Sequence, residues 1–431
     1  MKNNHIFLPV DELPKHWYNI LPDLPKPLPP YKEPEKGVSR IELMKKLFTR
    51  TSLELEFSKE RWIPIPNEVR ELYIHIGRPR PLYRAKRLEE FLNTPARIYY
   101  KREDLAPTGS FKMNSMIPQV YYAYKEGFKK VVAPTGAGQV GSAVAFAAAM
   151  FNLDCTIFWV RHACRMKRDR ASYTRMLNAK VFESPSKVTK IGRKYLEENP
   201  DHPGSLGTAY AETFEVALNN DDTVAIWGSR MNHVIMHHNI MGLETKKQLE
   251  MADETPDIIL SCGGTGSNFP GLAYPFIKDY LDGKLGDVKF LVVQTSAAPT
   301  LIKGEYRYDF VEPSRTLPLM KMYTLGVETK LPLIKAEGLR SSSSSPTLSL
   351  LRHEGIIDAI ALDERDALEA AKIFLQTEGV LVALESAYAV KAAINEALKA
   401  KRENKEKVIV FNISGNGFLD IEGYREVLKD I

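Results

Sequence analysis

From about residue 97 onward, short β-rich runs alternate with helical stretches, and that rhythm constrains the fold more than any other feature of the chain. The pattern predicts strands over 97–101, 130–133, 156–160 and 181–183, separated by helices over 114–126, 141–152 and 165–178. After a looser region it resumes with a helix over 232–251, a strand over 258–261, a helix after Asn268 and a strand over 290–294. Helices over 363–376 and 384–401 and a strand over 408–411 complete it. Strands separated by helices of this length build βαβ units around parallel sheet, so the fold class is α/β. No segment repeats at a fixed period, and the one low-complexity run is Ser341 to Ser345.

The 431 residues suffice for two or three domains, or two interlocked ones, with sizeable cores. A net charge of +5 is mild. It suits an anionic small substrate or cofactor better than a nucleic-acid backbone, which calls for a concentrated basic stripe. Cys155, Cys164 and Cys262 show neither CxxC nor metal-ligand spacing and read as reduced thiols, so no metal site is expected. The first residues lack the apolar core of a signal peptide, and the longest apolar stretch, 140–153, is too short to span a bilayer. These features predict a cytoplasmic protein with no membrane or nucleic-acid partner. Residues 1–36 are too rich in proline for helix or central strand. Trp17, Tyr18, Ile20 and Leu21 nevertheless predict an arm laid on the body, because a free tail seldom carries so many apolar residues. A single helix is expected over 39–57.

Two glycine-rich loops follow predicted strands, where ligands bind in open α/β sheets. The first, Thr135-Gly136-Ala137-Gly138-Gln139-Val140-Gly141, matches G-x-G-x-x-G. It reads as a plain tight turn, as a dinucleotide fingerprint, or as a set of backbone N–H groups that hold a carboxylate at a helix terminus. The dinucleotide reading needs an acid at the end of the next strand, and Val160, Arg161 and His162 stand there. Arg161 suits a 2′-phosphate, which keeps an NADP-dependent oxidoreductase as an alternative. The second loop, Gly263-Gly264-Thr265-Gly266-Ser267-Asn268, lets consecutive N–H groups converge on one phosphate. A third segment, Thr108-Gly109-Ser110-Phe111-Lys112-Met113-Asn114, supplies a lysine. Alone it would be a surface lysine. Beside a phosphate loop it is what covalent attachment of pyridoxal phosphate requires.

These motifs resemble the β-family of pyridoxal-phosphate enzymes, which includes tryptophan synthase β chains, cysteine synthase, threonine synthase and serine dehydratases. KREDLAPTGSFKMN, TGAGQVG, GGTGSN, TEGVLVALESAYA and NISGNG together resemble the tryptophan synthase β chains. WYNILPDLPKPLPP, ERWIPIPNEVRELY, GRPRPLYRAKRLE and GEYRYDF are similar to their long-armed second subgroup. The resemblance implies fold type II: two interleaved domains of parallel sheet flanked by helices, with the cofactor between them. It implies an arm and helix over 1–62, an N-terminal domain over 63–230 carrying Lys112 and the carboxylate loop, and a C-terminal domain over 231–431 carrying the phosphate loop. It makes Lys112 the lysine that binds the cofactor aldehyde and shuttles the substrate Cα proton. Asn114 would face the ring oxygen, Gly263, Gly264, Thr265, Gly266, Ser267 and Asn268 the phosphate, Glu378 the ring, and Ser414 the pyridine nitrogen. Thr135, Gly136, Ala137, Gly138 and Gln139 would hold the amino-acid carboxylate. The implied activity is a lyase-type β-replacement joining indole to a serine-type donor, in a homodimer. An α-type partner subunit is left open.

The chain departs from that family at three positions. Pro134 replaces the glutamate that usually precedes TGAGQ, Phe111 the histidine before the lysine, and Val140 a common histidine or tryptophan. Hydroxide is a poor leaving group, and loss of a positioned acid typically costs about 10²–10⁴-fold. Retention of the lysine, both loops and the serine points to a donor with a better leaving group, O-phospho-L-serine. The phosphate then needs cations: Arg165, with Lys167, Arg168 and Arg170 on the same stretch, or Arg340 beside the serine run. Other β-elimination or replacement activities, including sulfide as acceptor, and a non-catalytic amino-acid-binding protein are the remaining alternatives.

Overall fold

A computed structural model describes residues 4–429. The expected strands form, mostly one or two residues longer than predicted, and they sort into two principal sheets. The larger has seven strands in the order His5–Ile6, Leu82–Arg84, Arg97–Arg102, Val408–Ile413, Ile258–Cys262, Lys289–Thr295 and Asp358–Leu362. Its first two junctions are antiparallel and the rest parallel. The smaller sheet is wholly parallel, in the order Lys180–Ser184, Asp154–Val160, Lys130–Thr135 and Thr223–Ala225. All four of its strands lie in sequence between Arg97–Arg102 and Ile258–Cys262, two strands of the larger sheet that flank Val408–Ile413, so the two units are interleaved: Arg97–Arg102 pairs with Val408–Ile413 across some 300 intervening residues.

Helices cover both sheets because the strands are apolar on both faces, as parallel sheet demands. Val408–Ile413 is buried at every position. The 20-residue helix Leu384–Glu403 packs Leu384, Ala387, Tyr388 and Ala392 against it, and the stripe of alanines lets the backbones approach closely. Helix Gln139–Met150, rich in alanine, plays the same part on the smaller sheet.

Three expected helices are each broken in two. The stretch over 39–57 is Arg40–Leu47 and Arg50–Glu56, because the Thr49 side chain caps a new helix by accepting from Ser52 N. That over 165–178 is Arg161–Met166 and Arg168–Met176, and that over 232–251 is Asn232–His238 and Ile240–Met251. The looser region contains helix Leu206–Leu218, opened by a capping box at Ser205 and Thr208.

The proline-rich segment is an ordered arm. Trp17 and Tyr18 are fully buried, His16–Tyr18 pairs with Trp62–Pro64, and Asn239 Nδ2 donates to Tyr18 O at 2.7 Å. Its first strand extends the edge of the larger sheet. No helix among the described residues is long and apolar enough to cross a membrane.

Candidate active site

Lys112 lies immediately before helix Met113–Lys125, in a turn fastened to the carboxyl end of Val408–Ile413. Phe111 N donates to Ser414 O at 3.0 Å, and Ser110 bridges to Gly415. Gly109 adopts φ +71°, and a Cβ there would meet Asn416 Nδ2 at 2.4 Å, so close approach and left-handed backbone both demand glycine. The Lys112 Nζ donates to Gly228 O at 2.6 Å and Ser267 Oγ at 2.9 Å, which ties the lysine to the second glycine loop. Burial lowers its pKa to about 7 against the opposing pull of Cys262 and Glu385.

The second loop joins Ile258–Cys262 to helix Asn268–Leu281. It is a cradle that side chains would fill: a Cβ on Gly264 would lie 2.5 Å from Gly338 O, and Gly266 has φ +86°. The space beside Gly266 faces Ser345 Oγ, a buried hydroxyl with no partner among the described residues. Small residues, a helix N-terminus and an unsatisfied donor fit a phosphate. The Asn268 side chain is engaged elsewhere: its Nδ2 donates to Ser261 Oγ at 2.6 Å, and its Oδ1 accepts from Asn412 at 2.6 Å. At the opposite end, Ser414 Oγ lies 2.7 Å from Ser386 Oγ and 3.8 Å from Cys262 Sγ, whose thiol burial pushes up to about 12. Lysine, phosphate cradle and a buried neutral hydroxyl pair together fit pyridoxal phosphate.

The first loop, from Thr135 at the end of Lys130–Thr135 to Gln139 at the start of Gln139–Met150, faces the same cleft. Gly138 has φ +93°, and a Cβ there would sit 1.9 Å from Trp159 Cζ2. Thr135, Gly136, Ala137 and Gln139 line the cleft with Lys112, Thr265 and Arg340. Of the three glycines of G-x-G-x-x-G, Gly141 sits in helix Gln139–Met150 and packs against Ile157 and Thr135 of the smaller sheet. The Arg161 Nη1 atom donates to Pro200 O at 3.1 Å and Nη2 to Pro185 O, so the cation proposed for a 2′-phosphate is tied to the backbone.

Three further candidate residues have their side chains engaged by other parts of the protein. Arg165 projects from the surface, 63% of its side chain exposed, and pairs with Glu183 at 2.8 Å. Helix Arg168–Met176 instead turns Arg170, with Lys167 before it, inward onto buried Asp420. Glu378 ends its helix with a carboxylate that accepts from Leu88 N at 2.7 Å, outside the cleft, because the residues after it reverse direction at Gly379. Asn114 is buried one residue past the helix start; its amide accepts from Arg78 at 2.6 Å and donates to Glu103 at 3.0 Å.

Two carboxylates at the cleft were not picked out from sequence. Glu385, in the first turn of Leu384–Glu403, accepts from Gly338 N at 3.0 Å and from Gln139 Nε2 at 3.4 Å, joining the carboxylate loop to the larger sheet. It occupies the same segment, TEGVLVALESAYA, as Glu378, and the turn at Gly379 and the phase of the following helix distinguish the two. Glu337 lines the cleft and holds Arg340 in a bidentate pair at 2.6 and 2.7 Å. The inner space, about 70 Å³, shares Leu206, Tyr210, Arg340 and Ser341 with an outer chamber of about 440 Å³.

Residues 75–415 match the family described as pyridoxal-phosphate dependent enzyme. The chain is 48% identical over 426 residues to a tryptophan synthase beta chain 2 of Methanothermobacter thermautotrophicus, covering 99% of both sequences. It is 47% identical to a tryptophan synthase beta chain 2 of Pyrococcus abyssi, over 98% of this chain and 96% of that one. Among solved structures, a fungal L-serine ammonia-lyase from Rhizomucor miehei superposes with a TM-score of 0.59 at 17% identity, over 81% of this chain and 98% of that one, a likeness of fold.

Proposed function

Because the chain belongs to the tryptophan synthase β chains and is a pyridoxal-phosphate-dependent lyase, we propose that it makes L-tryptophan from indole with O-phospho-L-serine as its preferred donor. The cofactor supplies an aldehyde for amine attachment and an electron-withdrawing ring that makes the donor Cα–H acidic.

The protein supplies the rest. An amine with a pKa near 7 keeps a substantial neutral fraction at physiological pH, so Lys112 can both attach to the aldehyde and later take the Cα proton. The N–H groups from Gly136 to Gln139 hold the donor carboxylate. Ser414, held by Ser386, offers a neutral hydroxyl to the ring nitrogen, which favours elimination and replacement over transamination. The outer chamber has a mixed lining in which Leu206, Tyr210, Val311, Pro313, Leu331 and Leu333 offer apolar contacts to indole alongside polar groups such as Arg230, Glu328 and Lys330. Homodimerisation, carried over from the family, is part of this reading.

The observation that carries the donor preference is the pairing of an absence with a presence. Pro134 places no acid at the end of its strand, while Arg340 brings a guanidinium into the cleft that Lys112 lines. Hydroxide leaves poorly without an acid, whereas a phosphoryl group can use a cation. Arg340 therefore remains as the phosphate ligand, with the exposed Arg165 set aside. The test is tryptophan formation from indole with either donor, inorganic phosphate being followed in parallel. Phosphoserine is expected to react faster with stoichiometric phosphate release; faster turnover of plain serine refutes the preference.

A further inference from the structure

We propose that Glu337 is the acid that protonates the departing phosphate, and that it receives its proton only when the donor's phosphoryl group draws Arg340 away from it. This rests on the phosphoserine reading above. Glu337 opens the short turn Glu337–Leu339, and its side chain is 1% exposed. Its Cγ lies 3.6 Å from where a Cβ on Gly136 would stand, directly against the loop assigned to the donor carboxylate. Lys112, Gly136, Glu337 and Arg340 line one cleft, so acid, base and cation face the same small space.

The pair is neutral as a unit. The Arg340 Nε and Nη2 atoms occupy both Glu337 oxygens. A phosphoryl dianion competes for that fork, which matches phosphate as well as it matches carboxylate. Once Arg340 moves to the phosphate, Glu337 is a buried carboxylate without its main partner. The other charges acting on it are Lys167, already bound to Asp420 at 2.9 Å, and Glu385, which repels it, while Lys112 lines the same cleft with its amine held by Gly228 O and Ser267 Oγ. Burial already raises the Glu337 pKa in the paired state, and separation from Arg340 removes the strongest opposing influence. Taking up one proton is the economical response.

That proton balances the reaction. As the Cβ–O bond breaks, its electron pair stays on the phosphate oxygen and would leave a strongly basic trianion. Transfer of the Glu337 proton to that oxygen releases hydrogen phosphate, while Lys112 carries away the Cα proton. With phosphate gone, Arg340 returns to the Glu337 carboxylate. Plain serine brings no anion to displace Arg340, so Glu337 stays paired and unprotonated. A chain with Pro134 in place of a glutamate then has no acid to offer it.

The test uses the holoenzyme, Glu337→Gln and Glu337→Asp, with melting temperature and bound-cofactor absorbance confirming that each is folded and loaded. Glu337→Gln is expected to slow elimination from O-phospho-L-serine by about 10²–10⁴-fold in kcat without raising KM. Elimination from β-chloro-L-alanine, whose chloride leaves unprotonated, is expected to change less than about threefold on the same principle. Glu337→Asp should recover part of the loss. A pH indicator in weak buffer at pH 8, on mixing with phosphoserine, should show about one proton fewer taken up by Glu337→Gln than by wild type. Equal slowing with both donors, no slowing with either, or identical proton uptake overturns the assignment and leaves the donor reading standing. Faster wild-type turnover of serine than of phosphoserine instead removes the reading beneath it.

Discussion

The depressed basicity of Lys112 gives the most direct test of the site. Its amine is enclosed, and its two hydrogen-bond partners are uncharged: Gly228 O and Ser267 Oγ. Desolvation lowers the pKa from 10.5 to about 7. At pH 8 an amine with a pKa near 7 is about 90% neutral, whereas one with a pKa near 10.5 is about 0.3% neutral, a difference of about 300-fold in reactive species. Stripped protein mixed with pyridoxal phosphate across pH 5.5–9.5 should develop the yellow absorbance of the lysine adduct. Its second-order rate should rise tenfold per pH unit and level near pH 7. Lys112→Ala should show no such band. A rate still climbing at pH 9 refutes the reasoning, since the lysine would then be solvated or paired. The sign for stability follows: below about pH 7 the folded protein bears the cost of a buried ammonium, and above it the unfolded chain binds the extra proton. Stability of the stripped protein should therefore rise with pH between about 7 and 10.5, as far as this lysine contributes.

Four other outcomes separate the parts of the structure. Arg165→Ala should leave kcat/KM within about twofold because its partner is an exposed glutamate. Arg340→Gln should raise KM for phosphoserine by about ten- to a hundredfold, from roughly 1.5–3 kcal/mol for a hydrogen bond to a charged group. Gly138→Ala should cost about 2–5 kcal/mol in denaturant unfolding, combining a left-handed backbone with overpacking onto Trp159. Trp17→Ala should lower the denaturation midpoint by removing about 3–5 kcal/mol, because the arm carries a fully buried indole.

The residues alone determined the alternation of strand and helix, the two glycine loops at strand ends, the position of Lys112 at the head of a helix and the buried arm. These are local or periodic properties: β-branched runs, glycine where φ is positive, and apolar residues that water would reject. Where a short capping side chain interrupts a helical pattern, as at Thr49, the pattern overran the break. Glu378 and Glu385 lie seven residues apart in one segment, and nothing local says which faces the cleft; the turn at Gly379 and the phase of Leu384–Glu403 do. Likewise Arg165 and Arg340 are equal candidates as cations. Only the tertiary structure sends one to the surface onto Glu183 and holds the other against Glu337 beside Lys112. Backbone preference acts over a few residues, but a charge acquires its chemistry from what packs against it, and those neighbours come from distant parts of the chain.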